Sequence, residues 1–466
     1  MTSLQEKNRY SLTELVTKLA ELDNHLQKFI SEHYFNSQSI INLDFINHDQ
    51  IIPISIKLPD ILLIGAITQS PVMLSGSSGS GKTLLAELMA SFLFGETGYA
   101  RKNITPDMNE QDFMDIDFGA IKEGKKLKEA MIADKLFESP CIIIDEANRA
   151  PPIIQNRLLQ ILENNIDLKS KIIHAGKKLS NGEYYHWKIL TLNLGTEYAG
   201  TSAVDRALKD RVVLDLPIDN FPPTLEDQIL MIRGSAVNKN YLEGLTEKEL
   251  IYELYQNLDL LDLSLEAEAL ILYFSFLSNC VKSPTGSKYG VIFSPHYCKK
   301  EDCYHSRNPP LNDFCPFVFA PSNRVLRRLV SVAKGFTLLK QAKIINHLKK
   351  TKNNDEIREF LTNLNFDVSL EDVASIAPIV LNSKISMNME WVLEKFNGNT
   401  FLACKHLVKK VNSQLKLFMR DLLKPLVDEM RGKSLSEKNR GIRNKAIQDD
   451  FHLQGLIDYV KKYLIV

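Results

Sequence analysis

The stretch MLSGSSGSGKT, residues 73–83, decides the fold of this chain. It fits the pattern G-x-x-x-x-G-K-[ST], in which a glycine-rich loop follows a β-strand and opens an α-helix. The apolar run PVMLS (71–75) predicts the strand, and LLAELMASFLF (84–94) predicts the helix. A flexible Gly/Ser linker is the alternative, but it would need neither flanking element. The stretch is therefore interpreted as a phosphate-binding loop.

The chemistry of this loop predicts a nucleoside triphosphate and a divalent cation as ligands. Glycines let the backbone wrap closely around phosphates, and the start of the following helix favours an anion. Lys82 is expected to reach the β- and γ-phosphates, and Thr83 to bind Mg²⁺. The predicted ATP-binding residues are Gly76, Ser77, Ser78, Gly79, Ser80, Gly81, Lys82, Thr83, Leu84 and Asp145.

Acidic and amide side chains end two later strand-like runs. CIIID (141–145) is followed by Glu146, and WKILTLN (187–193) ends in Asn193. Asp145 is expected to hold Mg²⁺ through water, Glu146 to polarise the attacking water, and Asn193 to orient that water. A solvated turn at each strand end is the alternative. Downstream of a phosphate loop, the pattern favours catalysis.

The order of the elements indicates an α/β fold. Short apolar runs alternate with helical patterns from 51 to 218, and the further candidate strands are YARKNI (99–104) and VVLDLPI (212–218). Apolar strands separated by helices predict a parallel sheet covered on both faces. The capping-box spacing of SLTE (11–14) predicts the start of an N-terminal amphipathic helix. Most of the chain after residue 222 has helical patterns.

The composition is that of an ordinary globular protein. The chain has 466 residues, of which 44% are hydrophobic and 24% charged, and its formal net charge is zero. No overall field therefore attracts nucleic acid or an anionic membrane. The polar N-terminus and the absence of an apolar run of about 18 residues predict a cytoplasmic protein without a membrane span. Six cysteines in so long a chain do not suggest a disulfide framework.

The run DEANRAPPIIQNRLLQILE (145–163) resembles the MoxR-type AAA+ ATPases, including their CbbQ/NorQ branch. The family pattern is met by Asp145, Glu146, Asn148, Arg149, Ala150, Pro152, Gln155, Leu158 and Leu159. The run TLNLGTEYAGTSAVDRALKDRV (191–212) is similar to the family segment that carries sensor 1 and the arginine finger, in a form nearer the CbbQ/NorQ or dynein-like pattern. The resemblance covers roughly residues 51–339.

This resemblance implies an α/β P-loop AAA+ core with a parallel five-stranded sheet, followed by a mostly helical lid. Residues 1–50 and the C-terminal third lie outside the resemblance, and the pattern of the sequence predicts that the C-terminal region is helical. The expected boundaries are a helical extension at 1–50, the ATPase core at 51–220, the lid at 221–340 and the C-terminal region at 341–466. The resemblance also implies a homo-oligomeric ring, usually hexameric, with nucleotide between subunits. Family members often pair with a protein that bears a von Willebrand factor A domain. The Asp-x-Ser-x-Ser motif of that domain does not occur in this sequence, so such a client would be a separate chain.

Two arginines are expected to act on the γ-phosphate. By position, Arg211 in KDRV matches the family's finger, which reaches a neighbouring subunit's nucleotide, and Arg206 is the alternative. PSNRVLRRL (321–329) is similar to the sensor 2 start of a lid helix, which makes Arg324 the arginine that acts in cis. Arg327, which shares a helix face with Arg324, and Arg328 are the alternatives. A guanidinium in either place stabilises charge as the phosphoryl group leaves. A surface salt bridge is the other interpretation of Arg211.

The insert at 280–316 is rich in cysteine and histidine. Thiolates and imidazoles suit tetrahedral Zn²⁺, which would have a structural role here. The candidate ligands are Cys298, Cys303, His305 and Cys315, with Cys280 and His296 as rivals. Buried free thiols and an iron–sulfur cluster are the alternatives.

Residues 401–447 carry twelve Lys and Arg against four Asp and Glu. This balance supports an alternative function, a nucleic-acid-gated AAA+ ATPase of a defence or restriction-like system. Apolar residues at helical spacing run through the same stretch, however, and the solvated face of a packed helix is the commoner explanation. The sequence therefore favours an ATP hydrolase that remodels or activates a partner protein.

Overall fold

The computed structural model of the protein describes residues 3–47, 50–116, 118–124, 131–167, 172–193, 206–233, 247–276, 317–319, 321–352, 354–387 and 389–418. The chain divides into two compact units. Unit 1 is Met1–Leu261 with Lys334–Phe366, and unit 2 is Asp262–Ala333 with Asp367–Val466.

The elements before residue 262 are named in chain order. The helices are α1 (Ser3–His33), α2 (Leu58–Ile67), α3 (Lys82–Phe94), α4 (Phe118–Lys122), α5 (Pro152–Leu162), α6 (Arg206–Arg211), α7 (Leu225–Arg233) and α8 (Lys248–Gln256). The strands are β1 (Ser39–Asn47), β2 (Gln50–Lys57), β3 (Val72–Gly76), β4 (Tyr99–Asn103), β5 (Met114–Ile116), β6 (Met131–Ala133), β7 (Cys141–Asp145), β8 (Asn165–Asp167), β9 (Ile172–His174), β10 (Lys177–Lys178), β11 (Tyr184–Tyr185), β12 (Trp187–Asn193) and β13 (Leu214–Pro217).

The later elements are α9 (Leu265–Phe276), β14 (Phe317–Phe319), α10 (Asn323–Thr351), α11 (Asn354–Thr362), α12 (Leu370–Leu381), β15 (Ser386–Met387), α13 (Met389–Phe396) and α14 (Thr400–Phe418). The division between the units falls inside α10, because residues 334–351 belong to unit 1. The sequence boundary drawn at residue 340 lies within this one helix.

A five-stranded parallel sheet forms the centre of unit 1, in the order β13-β3-β12-β7-β4. This confirms the predicted α/β fold, and the five strands are the five candidate strands of the sequence. In the register, Gly76 lies opposite Asn193, and Asp145 lies opposite Asn103. Because all the strands run the same way, their carboxyl ends lie at one edge of the sheet. That edge holds Gly76, Asp145 and Asn193.

Helix α3 connects the glycine-rich loop to the core of the sheet. Its apolar side chains, including Leu85 and Met89, are buried, and it contacts β3, β4, β7 and β12. It ends at Gly95, whose φ of 77° lies in the left-handed region where glycine carries no steric penalty. The burial of α3 therefore fixes the orientation of the loop that precedes it.

The N-terminal region differs from its prediction in two respects. Helix α1 begins at Ser3 and runs through Ser11, so the SLTE capping box does not start a helix. The helix continues because nothing N-terminal to Ser11 breaks it. An antiparallel hairpin, β1–β2, then follows and was not predicted.

A buried charge cluster joins three helices of unit 1. It consists of Asp23 on α1, Asp60 on α2 and Lys343 on α10. Lys343 Nζ lies 3.0 Å from the Asp23 carboxylate and 3.0 Å from that of Asp60. Asn346 donates to Asp23 at 3.0 Å, and Gln27 donates to Asp60 at 2.8 Å. The cluster therefore ties α1 to the sheet-bearing part of unit 1.

Unit 2 is largely helical where it is described. Helix α14 contacts α9, α12 and α13, and Leu407, Val411 and Leu415 form its buried face. Helix α12 begins with a capping box in which the Ser369 side chain accepts from the Asp372 amide. In the part of the chain that is described, no helix combines the length and the apolar character that a membrane span requires.

Candidate nucleotide-binding site

The glycine-rich loop connects β3 directly to α3. Gly79 and Gly81 have φ values of 80° and 82°, which other residues adopt only with strain. Gly81 is also packed from outside, since a Cβ atom there would lie 3.2 Å from the Tyr34 ring. The two glycines therefore set a tight loop whose last residue precedes the helix.

Lys82 lies on the inside of this loop and is 5% exposed. Its Nζ donates to the carbonyl oxygens of Gly76 (3.1 Å) and Ser77 (2.5 Å) and to Ser80 Oγ (3.1 Å). Burial lowers the pKa of Lys82, against the opposing negative charges of Asp219 and other nearby carboxylates. The loop thus encloses one cation that a phosphate group would face.

A carboxylate from the end of the sheet holds the first part of the loop. Asp219 Oδ2 accepts from the Ser77 amide at 2.8 Å, and its Oδ1 accepts from Ser77 Oγ at 3.0 Å. Asp219 also explains Gly76, where a Cβ atom would lie 2.8 Å from Asp219 Oδ1. The loop is therefore tied to the segment that follows β13.

Thr83 and Asp145 meet beside the loop. Asp145 Oδ1 accepts from Thr83 Oγ1 at 2.9 Å and from the Thr191 hydroxyl. Its Oδ2 forms an ion pair with Arg101. Burial alone would raise the pKa of the Asp145 carboxyl, but the hydrogen bonds from Thr191, Thr83 and Arg101 hold it below its usual range. A hydroxyl and an ionised carboxylate at this distance are the hard oxygen donors that Mg²⁺ prefers, so the pair fits that metal.

Glu146 follows Asp145 in a left-handed conformation, with φ of 54°. Its Oε1 accepts from Asn193 Nδ2 at 2.8 Å, and its Oε2 lies 3.0 Å from Arg149 Nε. Asn148 Nδ2 donates to the Asn193 carbonyl oxygen at 2.8 Å and so braces the end of β12. The structure therefore brings the two predicted water-directing residues into direct contact.

A cavity of about 590 Å³ opens beside the loop. The segments that line it are 33–36, the loop residues 77–81, Leu84, 218–219, 222–223 and Met231. Asn36 Nδ2 donates to the Phe221 carbonyl oxygen at 2.8 Å, which holds two of the walls together. This volume is within the usual range for small-molecule sites. The sequence motif predicted the loop residues and Leu84 but none of the other walls, because those segments carry no phosphate-binding pattern.

The predicted finger arginines lie on α6. Arg211 Nε pairs with Glu163 at 2.8 Å, and its Nη1 donates to the Ala207 carbonyl oxygen at 3.1 Å. Within one chain it therefore makes the salt bridge that was its alternative interpretation. Arg206 begins the same helix, and its side chain lies outside the described part of the structure. Arg324 is the second residue of α10, in unit 2, and is exposed.

The zinc prediction lies outside the described residues, because these omit 277–316 and with it Cys280, His296, Cys298, Cys303, His305 and Cys315. Among the residues that are described, no group of three or more His, Cys, Asp or Glu side chains could hold a metal ion. Eight of the twelve basic residues of 401–447 also lie beyond the last described residue. The other four are on α14, where Lys405, Lys409 and Lys416 are exposed beside its buried apolar face.

The chain is similar to known proteins in its sequence and in its fold. Residues 71–212 match the AAA domain of the dynein-related subfamily. Midasin from Dictyostelium discoideum is 25% identical over 179 residues, which are 38% of this chain and 3% of midasin, so the chain spans only a small fraction of that relative. The crystal structure of a candidate ATPase from Cytophaga hutchinsonii has a TM-score of 0.55 at 17% identity, over 85% of this chain and 96% of that one.

A full-length MCM homologue from Methanopyrus kandleri has a TM-score of 0.36 at 11% identity, over 83% of this chain and 63% of that one, and this likeness is too low to bear on the fold. The Cytophaga structure shares the fold, and the family match covers the loop, Asp145, Glu146 and Asn193. Residues 71–212 match the dynein-related AAA domain, and this match together with the shared fold supports an AAA+ ATPase.

Proposed function

We propose that this chain hydrolyses ATP as a MoxR-type AAA+ ring and uses the energy to remodel or activate a partner protein. The observation that carries the proposal is the Glu146–Asn193 contact of 2.8 Å at the carboxyl edge of the sheet. This contact lies at the same edge as the Thr83–Asp145 pair and the loop lysine. Groups that bind phosphate, hold a metal and direct water are thus brought together at one place.

Each residue has a distinct role in this mechanism. Lys82 and the loop amides hold the β- and γ-phosphates, while Thr83 and Asp145 would hold Mg²⁺. When bound, Mg²⁺ supplies positive charge to the phosphate oxygens during transfer. Glu146 accepts the proton of the attacking water, and Asn193 keeps the Glu146 carboxylate and that water in line.

Ring assembly supplies the remaining arginine in this proposal. Arg211 would exchange its Glu163 partner for the γ-phosphate of a neighbouring subunit, and Arg324 would act on the phosphate of its own chain. The relationship of residues 71–212 to the dynein-related AAA domain supports a multi-subunit or multi-module ring. A separate client with a von Willebrand factor A domain, and a structural Zn²⁺ in the 280–316 insert, belong to the same proposal.

Hydrolysis is tested by comparing Glu146→Gln with Lys82→Ala. We expect Glu146→Gln to bind ATP normally and to lose turnover, because an amide cannot accept the water's proton. Lys82→Ala should lose binding itself. Calorimetry measures ATP binding, and phosphate release measures turnover. Wild-type turnover in Glu146→Gln would overturn the mechanism.

The client is tested with the same two variants. Glu146→Gln should form ATP-dependent rings by mass photometry and retain a client that Lys82→Ala does not. Purified client should then change conformation only with hydrolysing wild-type protein. Stimulation of turnover by DNA or RNA, weakening steeply with salt, would instead support the nucleic-acid-gated alternative.

A further inference from the structure

Arg101 joins the predicted metal site to the first turns of α3. It lies on β4 opposite Ile143 of β7, two residues before Asp145. Its Nη2 contacts Asp145 Oδ2, and its Nη1 lies 2.5 Å from Glu87 Oε1. Glu87 is one helical turn beyond Thr83. One guanidinium therefore bridges two carboxylates, of which only one belongs to the predicted metal pair.

The two oxygens of Asp145 are held by different kinds of donor. Oδ1 accepts from Thr83 and Thr191, and neither bond depends on Arg101. These two hydroxyls fix the orientation of the carboxylate. The main contribution of Arg101 to Asp145 is therefore its positive charge at Oδ2, where it opposes the approach of another cation.

The charge of Arg101 is permanent under ordinary conditions. A guanidinium in a protein does not deprotonate. Its two acidic partners also raise its pKa, overcoming the effect of burial. The Thr83–Asp145 pair therefore always has the positive charge of Arg101 beside it, unless the guanidinium leaves Asp145 and pairs with Glu87 alone.

We propose that Arg101 is a positioning residue that competes with Mg²⁺ for the charge of Asp145, and that Glu87 retains the guanidinium when the metal is bound. This inference rests on the proposed function, because it needs Thr83 and Asp145 to be the metal ligands. Under this proposal, Arg101 raises the Mg²⁺ concentration that nucleotide binding requires and Glu87 lowers it, although neither residue is a ligand of the metal.

Two substitutions are expected to have effects of opposite sign. Arg101→Met removes the competing charge and leaves Asp145 held by its two hydroxyl donors, so less Mg²⁺ should be needed. Glu87→Gln removes the other partner of the guanidinium and leaves it with Asp145, so more Mg²⁺ should be needed. A unit charge about 6 Å from a divalent ion changes its binding by on the order of tenfold even at the dielectric constant of water.

The experiment measures binding without turnover. Full-length protein carrying Glu146→Gln is mixed with a fluorescent ATP analogue, and Mg²⁺ is titrated at constant ionic strength. We expect the half-saturating Mg²⁺ concentration to fall about tenfold with Arg101→Met and to rise several-fold with Glu87→Gln. Arg101→Lys keeps the charge and should remain within about threefold of the parent.

Lys102→Gln is the matched control. Lys102 is the neighbouring cation on β4, but its ion-pair partner is Asp134, at 3.5 Å, and not Asp145. Its removal should leave the Mg²⁺ requirement unchanged. If Arg101→Met fails to fold in thermal melts, Glu87→Gln decides the question, because a purely structural Arg101–Glu87 pair would not change the metal requirement.

The outcomes separate this inference from the function on which it rests. A parent protein that binds no nucleotide at any Mg²⁺ concentration would remove the proposed function. Normal nucleotide binding with an unchanged or higher requirement in Arg101→Met would overturn the competition. A fall in the requirement with Glu87→Gln would overturn it equally.

Discussion

Replacing Lys343 with methionine perturbs the buried charge cluster of unit 1. Lys343 lies 3.0 Å from both Asp23 and Asp60, and the Asp60 side chain is fully buried. Methionine retains much of the side-chain volume but leaves two buried carboxylates without their cation. Breaking a buried ion pair in this way destabilises proteins by about 3–5 kcal/mol, and we expect a loss of that order at pH 8.

The loss should become smaller in acid. Burial raises the pKa of Asp60, and Lys343 opposes that rise. In the variant the opposition is gone, so the folded pKa of Asp60 rises further, while the unfolded chain keeps its ordinary value of 3.8. Between these values the folded variant binds more protons than the unfolded chain, and its stability therefore increases as the pH falls. The difference between variant and parent should be smaller at pH 5 than at pH 8.

Guanidinium unfolding in a Trp391→Phe background measures this loss. The chain has two tryptophans, so the fully buried Trp187 of β12 then reports on unit 1 alone. Lys349→Met is the control, because Lys349 lies on the same helix but pairs with Glu21 at 3.7 Å in an exposed position. That variant should lose less than about 1 kcal/mol. Equal losses for the two variants, or a larger Lys343→Met loss at pH 5, would refute the reasoning.

Four further outcomes are expected. Asn193→Ala should lower the rate of phosphate release about 10²-fold while calorimetric ATP affinity stays unchanged, because the Glu146 carboxylate loses its 2.8 Å donor. Arg211→Ala should bind ATP but not hydrolyse it, and mixing it with Lys82→Ala subunits should restore part of the turnover through hybrid interfaces. His186→Phe should reduce the loss of melting temperature between pH 7 and pH 5, since burial lowers the pKa of His186 well below its ordinary 6.5 and protonation then favours the unfolded chain. Cys303→Ser should lower the zinc content found by elemental analysis and the melting temperature, with a smaller effect on turnover.

Each of these outcomes has a result that would contradict it. Weakened ATP binding in Asn193→Ala would indicate a damaged site. Unchanged turnover in this variant would remove Asn193 from the mechanism. Mixed rings without recovery would argue against an arginine acting in trans, and equal loss in Arg206→Ala would leave the finger unassigned. An unchanged acid dependence would show that His186 is not the group that limits stability. A parent protein purified without zinc would remove the metal site.

The fold was predictable because its decisive pattern is local. A glycine-rich loop between an apolar run and a helical run fixes one strand–loop–helix unit, and four more candidate strands complete the sheet. Parallel strands place their carboxyl ends at one edge, which is why Glu146 and Asn193 could be assigned to one site before their contact was known. The predicted start of α1 was wrong because SLTE has the spacing of a capping box but nothing ahead of it stops the helix.

The missed residues depend on contacts between distant segments. Tyr34 packs against Gly81 from a position 47 residues earlier in the chain, and Asp219 binds Ser77 from 142 residues later. Neither belongs to a repeating pattern. Arg101 was missed for a different reason, since charged residues in YARKN are typical of a sheet edge exposed to solvent. Its role depends on Glu87 and Asp145, which three-dimensional packing alone brings together.

The backbone conformation at Glu146 and the proposed role of its carboxylate favour different residues at this position. Its φ of 54° and ψ of 42° suit glycine or asparagine, and a side chain such as glutamate costs about 1–2 kcal/mol there. A library screened only for heat resistance should therefore accumulate Glu146→Gly, whose smaller residue releases that strain. The same clones would lack the carboxylate opposite Asn193. Selection for thermal stability would therefore favour glycine at position 146, whereas selection for fast turnover would retain glutamate.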